Sequence, residues 1–168
     1  MHAPVSSSST RASTGSELTV RYLDDQDVTY KLLDHDERFS AAAEARACGI
    51  APHNAAKAIL LCDGGEYRLA VIPASELLDV KKLRDLIDAG GPVRLASEEE
   101  MAADFPAFEI GALPPLGFML GVPEAIDARV LEHRRVLCNA GDHRHSMLID
   151  PRDVADLGDV RIGDICQD

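Results

Sequence analysis

Residues 56–72 have the sequence AKAILLCDGGEYRLAVI, in which a glycine pair separates two apolar runs. The runs 56–62 and 67–72 have the length and the aliphatic content of β-strands. Gly64 and Gly65 lie in the connection, and glycine readily adopts the positive φ angles that a tight hairpin turn requires. The stretch therefore predicts an antiparallel β-hairpin at the centre of the fold.

Helix signals lie on both sides of this hairpin. Ser40 is a favoured N-cap for a helix over residues 41–48. Asp79 precedes a second helix, whose apolar residues recur at the spacing of one buried face until the glycines at 90–91. Residues 97–100, Ser-Glu-Glu-Glu, fit a capping box that begins a third helix.

Three further segments have a predictable structure. Residues 136–140 and 147–149 are apolar runs that predict a second strand pair. The pair Asp150-Pro151 predicts a last short helix, because proline is well tolerated at the first helical position. Residues 17–22 alternate apolar with polar side chains, which predicts a short half-buried strand or arm.

The length and composition predict one folded domain. The chain has 168 residues, 46% of them hydrophobic, which is enough for a single core. Residues 1–16 are rich in Ser, Thr and Ala and predict a disordered tail before a domain over residues 17–168. Short strands interleaved with helices, with hairpin links, favour an α+β fold over a doubly wound parallel sheet.

Charge and cysteine content limit the partners and the compartment. Seventeen basic and twenty-nine acidic residues give a net charge of −12, so neither DNA nor a membrane surface is an expected partner and any RNA contact must be local. No apolar run approaches the about 20 residues of a membrane helix. The first residues lack the hydrophobic core of a secretory signal. Four cysteines without a Cys-x-x-Cys pair are typical of reduced thiols in a cytoplasmic protein.

Two features inside this pattern are candidates for function. Lys57 places a cation at the start of an apolar strand, where it must face solvent, a counter-ion or an anionic ligand. Residues 111–117, Gly-Ala-Leu-Pro-Pro-Leu-Gly, form a loop that prolines stiffen, and Gly111 allows a ligand close to the backbone. Each feature also has a plain structural explanation, as a strand-end surface lysine and as a loop rigidified for packing.

Several motifs occur in an order and at a spacing that resemble the YbaK-like prolyl-tRNA editing domain family, whose members are aminoacyl-tRNA deacylases. The resemblance runs from about Tyr30 to Val154 and rests on His-Asp at 35–36, AKAIL at 56–60, LAVIPA at 69–74, RLASEE at 94–99, the loop at 111–117 and Asn-Ala-Gly at 139–141. It implies an α+β domain in which helices flank a curved mixed β-sheet or a partly open barrel.

The resemblance also implies a function. The family hydrolyses the ester between a wrong amino acid and the terminal ribose of tRNA, here expected to be a small amino acid on tRNA-Pro or a related tRNA. An aminoacyl-tRNA synthetase would be a further partner. Such hydrolysis needs an aligned water and a donor for the carbonyl oxygen. No covalent nucleophile, metal or other cofactor is expected.

The family resemblance for Lys57, and the chemistry of ester hydrolysis for the loop, suggest roles for individual residues. Lys57 matches the family's most characteristic functional lysine and would anchor the phosphate or ribose of the terminal adenosine. Gly111 and Ala112 would direct backbone N–H groups at the scissile carbonyl. Pro114 and Pro115 would keep the loop from collapsing, with Pro115 beside the substrate.

Polar residues around the Asn-Ala-Gly turn complete the predicted site. Asn139 and Gly141 are expected to contact the substrate. His143 is a candidate general base or water-positioning group, and His145 would share its face if the turn continues as an extended strand. His35 lies either at the rim of the pocket or in a turn that leads into a helix.

The same residues allow two other chemistries. Asp142, His143 and His145 could hold a metal ion, with a further ligand from His35 or Cys138, although the spacing matches no familiar site. Cys138 with His143 could form a thiol hydrolase, but the apolar neighbours of the cysteine favour packing.

Three positions depart from the family pattern. Ala58 stands where Thr usually follows the lysine, Leu33 where Tyr is common, and Ser146 where some members carry an acidic residue. Together with the acidic composition, these departures support an alternative hypothesis, a binding or regulatory module for tRNA, a small ligand or a protein partner that has lost efficient hydrolysis.

Overall fold

The described part of the chain, residues 13–168 of a computed structural model, alternates short helices and strands. The helices are α1 (Gly15–Asp25), α2 (Ala41–Ala47), α3 (Val80–Leu86), α4 (Glu98–Asp104), α5 (Gly117–Leu120) and α6 (Pro151–Ala155). The strands are β1 (Tyr30–Asp34), β2 (Ala56–Asp63), β3 (Glu66–Pro73), β4 (Val93–Leu95), β5 (Glu124–Asp127), β6 (Val136–Asp142), β7 (His145–Ile149) and β8 (Val160–Gly163). Short 3₁₀ turns cover Pro52–Asn54 and Ala128–Glu132.

The strands form two sheets that meet at one point. A five-stranded mixed sheet has the order β4-β2-β3-β5-β8, and β3, β5 and β8 run parallel in it. A three-stranded antiparallel sheet has the order β1-β7-β6. A parallel bridge between Ala55 and Leu137 places β6 beside the start of β2. The predicted α+β class, with a mixed sheet that does not close and helices around it, is confirmed.

The central hairpin forms as its sequence predicts. Strands β2 and β3 pair antiparallel along their whole length, up to the Asp63–Glu66 pair at the turn. Gly64 and Gly65 have φ angles of 60° and 94°. Positive φ at both central positions is the geometry that two-residue hairpin turns favour, so the glycine pair fixes the register of the hairpin.

The predicted helix starts are also confirmed. The side chains of Ser40 and Asp79 each accept the backbone N–H three residues further on, at 3.1 Å in both cases. Ser97 and Glu100 form the predicted capping box. The second strand pair and the last short helix occur where the sequence places them.

The strand predicted for residues 17–22 is wrong, because these residues lie in helix α1. Thr14 is the N-cap of this helix and forms a reciprocal capping box with Glu17. Thr19 and Leu23, four residues apart, are both fully buried on one helical face. The apolar residues at alternate positions in residues 17–22 therefore belong to an amphipathic helix rather than to a strand.

The tail predicted for residues 1–16 overlaps the start of helix α1. Residues 1–12 of the predicted tail lie outside the described part of the chain, whereas Gly15 already belongs to α1. Gly15 packs directly on Gly141, where an added Cβ would lie 2.5 Å from the Gly15 carbonyl carbon. Gly141 is buried and has a φ of 116°, so only glycine allows α1 this close to β6.

The two faces of the hairpin have different surroundings. Ala58 and Leu60 point into apolar clusters that also contain residues of the loop before β5. Ile59 and Leu61 point into a second cluster with helix α3. Because side chains alternate along a strand, Lys57 lies on the same face as Ile59 and Leu61.

Four short strands were not predicted. They are β1, β4, β5 and β8, and all of them depend on pairing with distant neighbours. All four residues of β5, Glu-Ala-Ile-Asp, are buried between two parallel strands, which the acidic ends of this segment do not indicate.

Within residues 13–168, no helix is long and apolar enough to cross a membrane.

Replacing Gly117 by alanine should destabilise the domain by about 1 to 3 kcal/mol, as overpacking commonly does. A Cβ at this position would lie 2.4 Å from the carbonyl oxygen of Val122 and 2.9 Å from a carboxylate oxygen of Glu124. Chemical denaturation measures the loss. Gly90→Ala is the matched control, since nothing lies within 4 Å of its added methyl group. Equal denaturation midpoints for the two variants would contradict the close packing at Gly117.

Candidate active site

Lys57 and Asn139 lie on the two strands that meet where the sheets join. The parallel bridge joins Ala55 to Leu137. Lys57 and Asn139 are each two residues further along their strands and so occupy the same face. Lys57 is half-buried, and its ammonium group makes no hydrogen bond or ion pair with any of residues 13–168. A cation without a counter-ion among these residues is a suitable binding group for an anion.

Side chains from β6 and its turn hold the Gly111 loop, residues 109–117, in place. The amide Nδ2 of Asn139 donates to the carbonyl oxygen of Gly111 at 3.2 Å. The carboxylate of Glu109 accepts the backbone N–H of His143 at 2.7 Å, and Nε2 of His143 lies 2.8 Å from the carbonyl oxygen of Ile110. The loop conformation therefore depends on polar contacts rather than on the prolines alone.

Gly111 has one backbone donor without a partner among the described residues. It is exposed, its φ is 82°, and its N–H has no hydrogen-bond partner among the described residues. The predicted second donor is not available, because the N–H of Ala112 donates to the carbonyl oxygen of Glu109 at 3.0 Å and the residue is fully buried. Pro115 is also buried, which gives it a place in the support of the loop and no exposed surface for a substrate.

The two histidines of the turn do not share a face, because the chain reverses at residues 143–144 instead of continuing as a strand. His143 is buried, and its Nδ1 has no partner among residues 13–168. A carbonyl oxygen can only accept a hydrogen bond. Nε2 of His143 therefore carries a hydrogen and donates it in a hydrogen bond to the carbonyl oxygen of Ile110. His145 points elsewhere, with Nδ1 2.8 Å from Asp142 and Nε2 3.3 Å from Asp34.

A buried hydrogen-bonded chain connects His35 to helix α2. Nε2 of His35 lies 2.8 Å from Oγ of Ser146, which donates to Oε2 of Glu44 at 3.1 Å. Ser146 is 0% exposed and Glu44 is 2% exposed. Burial, opposed by the Ser146 hydrogen bond and assisted by the nearby charge of Asp142, raises the pKa of Glu44 to about 7.

The hydrogen-bond partners restrict the positions of the protons among His35, Ser146 and Glu44. Nδ1 of His35 lies 2.7 Å from the carbonyl oxygen of Asp36, so that nitrogen carries a proton. The Ser146 hydroxyl can donate to only one neighbour at a time, so it connects the side chains of His35 and Glu44 through a single shared hydroxyl group.

The two alternative chemistries find no support in this geometry. Cys138 lies on the opposite face of β6 from Asn139, in the apolar core, and its thiol points at the carbonyl oxygen of Met147. Burial, followed by the charges of Glu44 and Glu124, raises the pKa of the Cys138 thiol. Residues 13–168 contain no group of three His, Cys, Asp or Glu side chains that could hold a metal ion.

The departures from the family pattern have separate structural surroundings. Ala58 lies on the core face of β2, away from Lys57. Leu33 packs in an apolar cluster with residues of α2 and β6. Some family members carry an acidic residue at the position of Ser146. In this protein the Ser146 hydroxyl donates to the carboxyl group of Glu44, which lies on α2.

Sequence reasoning missed three residues that the fold brings to this region. Glu109 and Glu44 are ordinary acidic residues in the sequence, and only their tertiary partners show that they are held in place. Phe39 is 72% exposed beside His143, and its signal was available, since it is one of only four phenylalanines in an aromatic-poor chain.

Comparisons with known proteins agree with this architecture. A crystal structure of "hypothetical protein APE2540" is 21% identical, with a TM-score of 0.81 over 90% of this chain and 100% of that one. A structure described as "a putative trans-editing enzyme for prolyl tRNA synthetase" is 22% identical, with a TM-score of 0.80 over 94% of this chain and 100% of that one. At these identities the likeness shows the fold. No curated protein shows a significant match.

A family model identifies the domain itself. The model described as "Aminoacyl-tRNA editing domain" matches residues 35–157. The match begins at His35, contains Lys57 and the Gly111 loop, and ends beyond Ser146. The chain therefore belongs to the aminoacyl-tRNA editing domain family.

Proposed function

We propose that this protein is a trans-editing deacylase, which hydrolyses the ester of a mischarged tRNA in the cytoplasm. The proposed substrate is a small amino acid on tRNA-Pro or a related tRNA, delivered with or without an aminoacyl-tRNA synthetase. One observation carries the proposal: Lys57, half-buried and without a hydrogen-bond or ion-pair partner among residues 13–168, lies on the strand that meets the strand of Asn139, whose side chain holds the exposed Gly111.

Each group has a defined part in the proposed reaction. Lys57 binds the phosphate or ribose of the terminal adenosine, and the Gly111 N–H donates to the carbonyl oxygen as water adds and negative charge develops there. A donor placed at that oxygen stabilises the transition state by about 3 kcal/mol. Water attacks the ester carbon directly, so the reaction needs no covalent enzyme intermediate.

The choice of amino acid is assigned to the loop beside Gly111. Ala112, Pro114 and Pro115 are buried behind it, and the carbonyl oxygen of Gly111 is fixed by Asn139. A loop held by these contacts resists widening for a large side chain at the scissile ester. This geometry supports a small amino acid as the substrate.

A binding module with weak hydrolysis is the second candidate, and the histidines favour it. Both ring nitrogens of His35 and of His145 have polar partners, and the free nitrogen of His143 is buried. None of these imidazoles presents an exposed basic nitrogen to a water molecule. Such a module would bind tRNA, a small ligand or a protein partner without turning it over.

A deacylation screen distinguishes the two candidates. Purified protein is incubated with a panel of tRNAs that carry correct or incorrect amino acids, and released amino acid is measured against a reaction without protein. The deacylase should release a small non-cognate amino acid and spare correctly charged tRNA-Pro. Binding without release would favour the second candidate, and the absence of both would refute the two together.

A further inference from the structure

Phe39 is an exposed aromatic residue at the edge of the candidate active site. It lies between β1 and α2, is 72% exposed, and its ring centroid is 4.8 Å from that of His143 at an interplanar angle of 48°. A large apolar ring exposed to this extent gains little from burial in the domain itself. Its other face is available to a ligand.

The backbone around Phe39 is held firmly. The N–H of Arg38 donates to the carbonyl oxygen of His143 at 2.9 Å, and the N–H of His35 donates to that of Arg144 at 3.0 Å. The His35 side chain is bound to Ser146 at 2.8 Å. Phe39 is therefore presented by an ordered segment on a defined side of the site.

We infer that Phe39 is the stacking platform for the terminal base of the tRNA acceptor end, an inference that rests on the proposed function. His143 connects the platform to the reacting ester, because its ring packs on Phe39 and its Cε1 lies 3.8 Å from the position of a Cβ on Gly111. An ester carbonyl at the Gly111 N–H would leave the base of the same nucleoside within reach of the Phe39 ring.

Local charge also favours a stacking contact. Asp34, Asp36 and Glu37 are exposed near Phe39, and the whole chain carries a net charge of −12. Cations alone cannot draw RNA to such a surface. Stacking of a base on an aromatic ring does not require positive charge and accepts any base, so it suits the single-stranded end of an RNA bound by an acidic protein.

The test measures binding of an acceptor-stem hairpin RNA that ends in CCA and of the same RNA without its terminal A. Phe39→Ala should weaken binding of the CCA hairpin by about 5- to 100-fold, as removal of a stacking aromatic does. Phe39→Trp should preserve it, and Phe39→Leu, which is apolar without a π face, should behave as the alanine variant. The salt dependence of binding should stay unchanged, because no phosphate contact is removed.

Phe118→Ala is the matched control, since Phe118 is 68% exposed on α5 and packs on Gly158, away from His143. It should leave binding unchanged, and loss of the terminal A should affect the wild-type protein but not Phe39→Ala. Wild-type affinity in Phe39→Ala or Phe39→Leu, in a protein that still deacylates, would overturn the inference and leave the proposed function intact. Absence of both RNA binding and deacylation in the wild type would overturn both.

Discussion

Lys57→Ala is expected to lower kcat/KM for deacylation by about 100-fold, because without the anchor for the terminal adenosine the ester is misplaced relative to the Gly111 N–H. The ammonium group has no partner among residues 13–168, so its removal breaks no ion pair and leaves no buried counter-charge. The fold should therefore survive, with a denaturation midpoint close to that of the wild type. Activity and stability are measured on the same preparation.

Two further variants separate the role of the charge from that of the side-chain stem. Lys57→Met keeps the apolar length and should lose as much activity as Lys57→Ala, whereas Lys57→Arg should recover part of it. Lys81→Ala is the matched control, because Lys81 is an exposed lysine on α3. Full activity in Lys57→Met would remove the ammonium group from the mechanism.

The parts of the fold that sequence predicts well are those with local signals. The Gly64-Gly65 turn and the caps at Ser40, Asp79 and Ser97 act within a few residues of themselves, and all four are confirmed. Helix α1 carried the same kind of signal in Thr14. Thr14 and Glu17 have capping-box spacing, but the apolar alternation that follows them is also typical of a strand.

The parts that sequence predicts poorly depend on distant partners. Strand β5 owes its four buried residues to parallel neighbours on both sides, and its acidic ends resemble a loop. Within the site, Lys57 and Gly111 stand out because their residue types are unusual in their surroundings. Glu44 does not, because a glutamate in a helix is normally a surface residue, and its partner Ser146 is 102 residues away.

The stability of the domain is expected to fall as the pH rises from about 4.5 to about 7, and Glu44 is one of two buried carboxyl groups that cause this fall. Burial raises the pKa of Glu44 in the folded protein to about 7, from 4.5 for an unperturbed glutamate. The folded state therefore retains a proton that the unfolded chain releases. This contribution is fully present below the unfolded pKa, is lost as the pH passes the folded pKa, and amounts to roughly 3 kcal/mol.

Other carboxyl groups determine the pH range over which the stability of the domain changes. Burial raises the pKa of Glu124 to about 8, so its effect has the same sign and extends the decline to about pH 8. Hydrogen bonds from Arg94 lower the pKa of Glu100, and those from Lys82 lower that of Asp164. These groups stabilise the fold above their unfolded pKa and lose that contribution only in acid. Stability should therefore be highest near pH 5.

Glu44→Gln should make the free energy of unfolding less dependent on pH, because it removes the titrating carboxyl group. The glutamine amide can still accept a hydrogen bond from the Ser146 hydroxyl. The free energy of unfolding, measured by chemical denaturation at intervals from pH 4.5 to 8, should then fall by roughly 3 kcal/mol less than in the wild type. Glu99→Gln is the control, since Glu99 is exposed on α4 and should leave the slope unchanged. A wild-type slope in Glu44→Gln would show that another group carries the proton.

Ser146→Ala tests the hydrogen-bonded chain itself. The Ser146 hydroxyl lowers the pKa of Glu44, so its removal should raise that pKa and move the loss of stability to higher pH. His35 also loses its Nε2 partner, and the segment that carries Phe39 loses an anchor. The affinity for RNA should therefore be lower in Ser146→Ala. It should change little in the control variant Glu99→Gln. An unchanged stability profile together with unchanged RNA binding would mean that the buried chain neither holds the Glu44 proton nor positions His35.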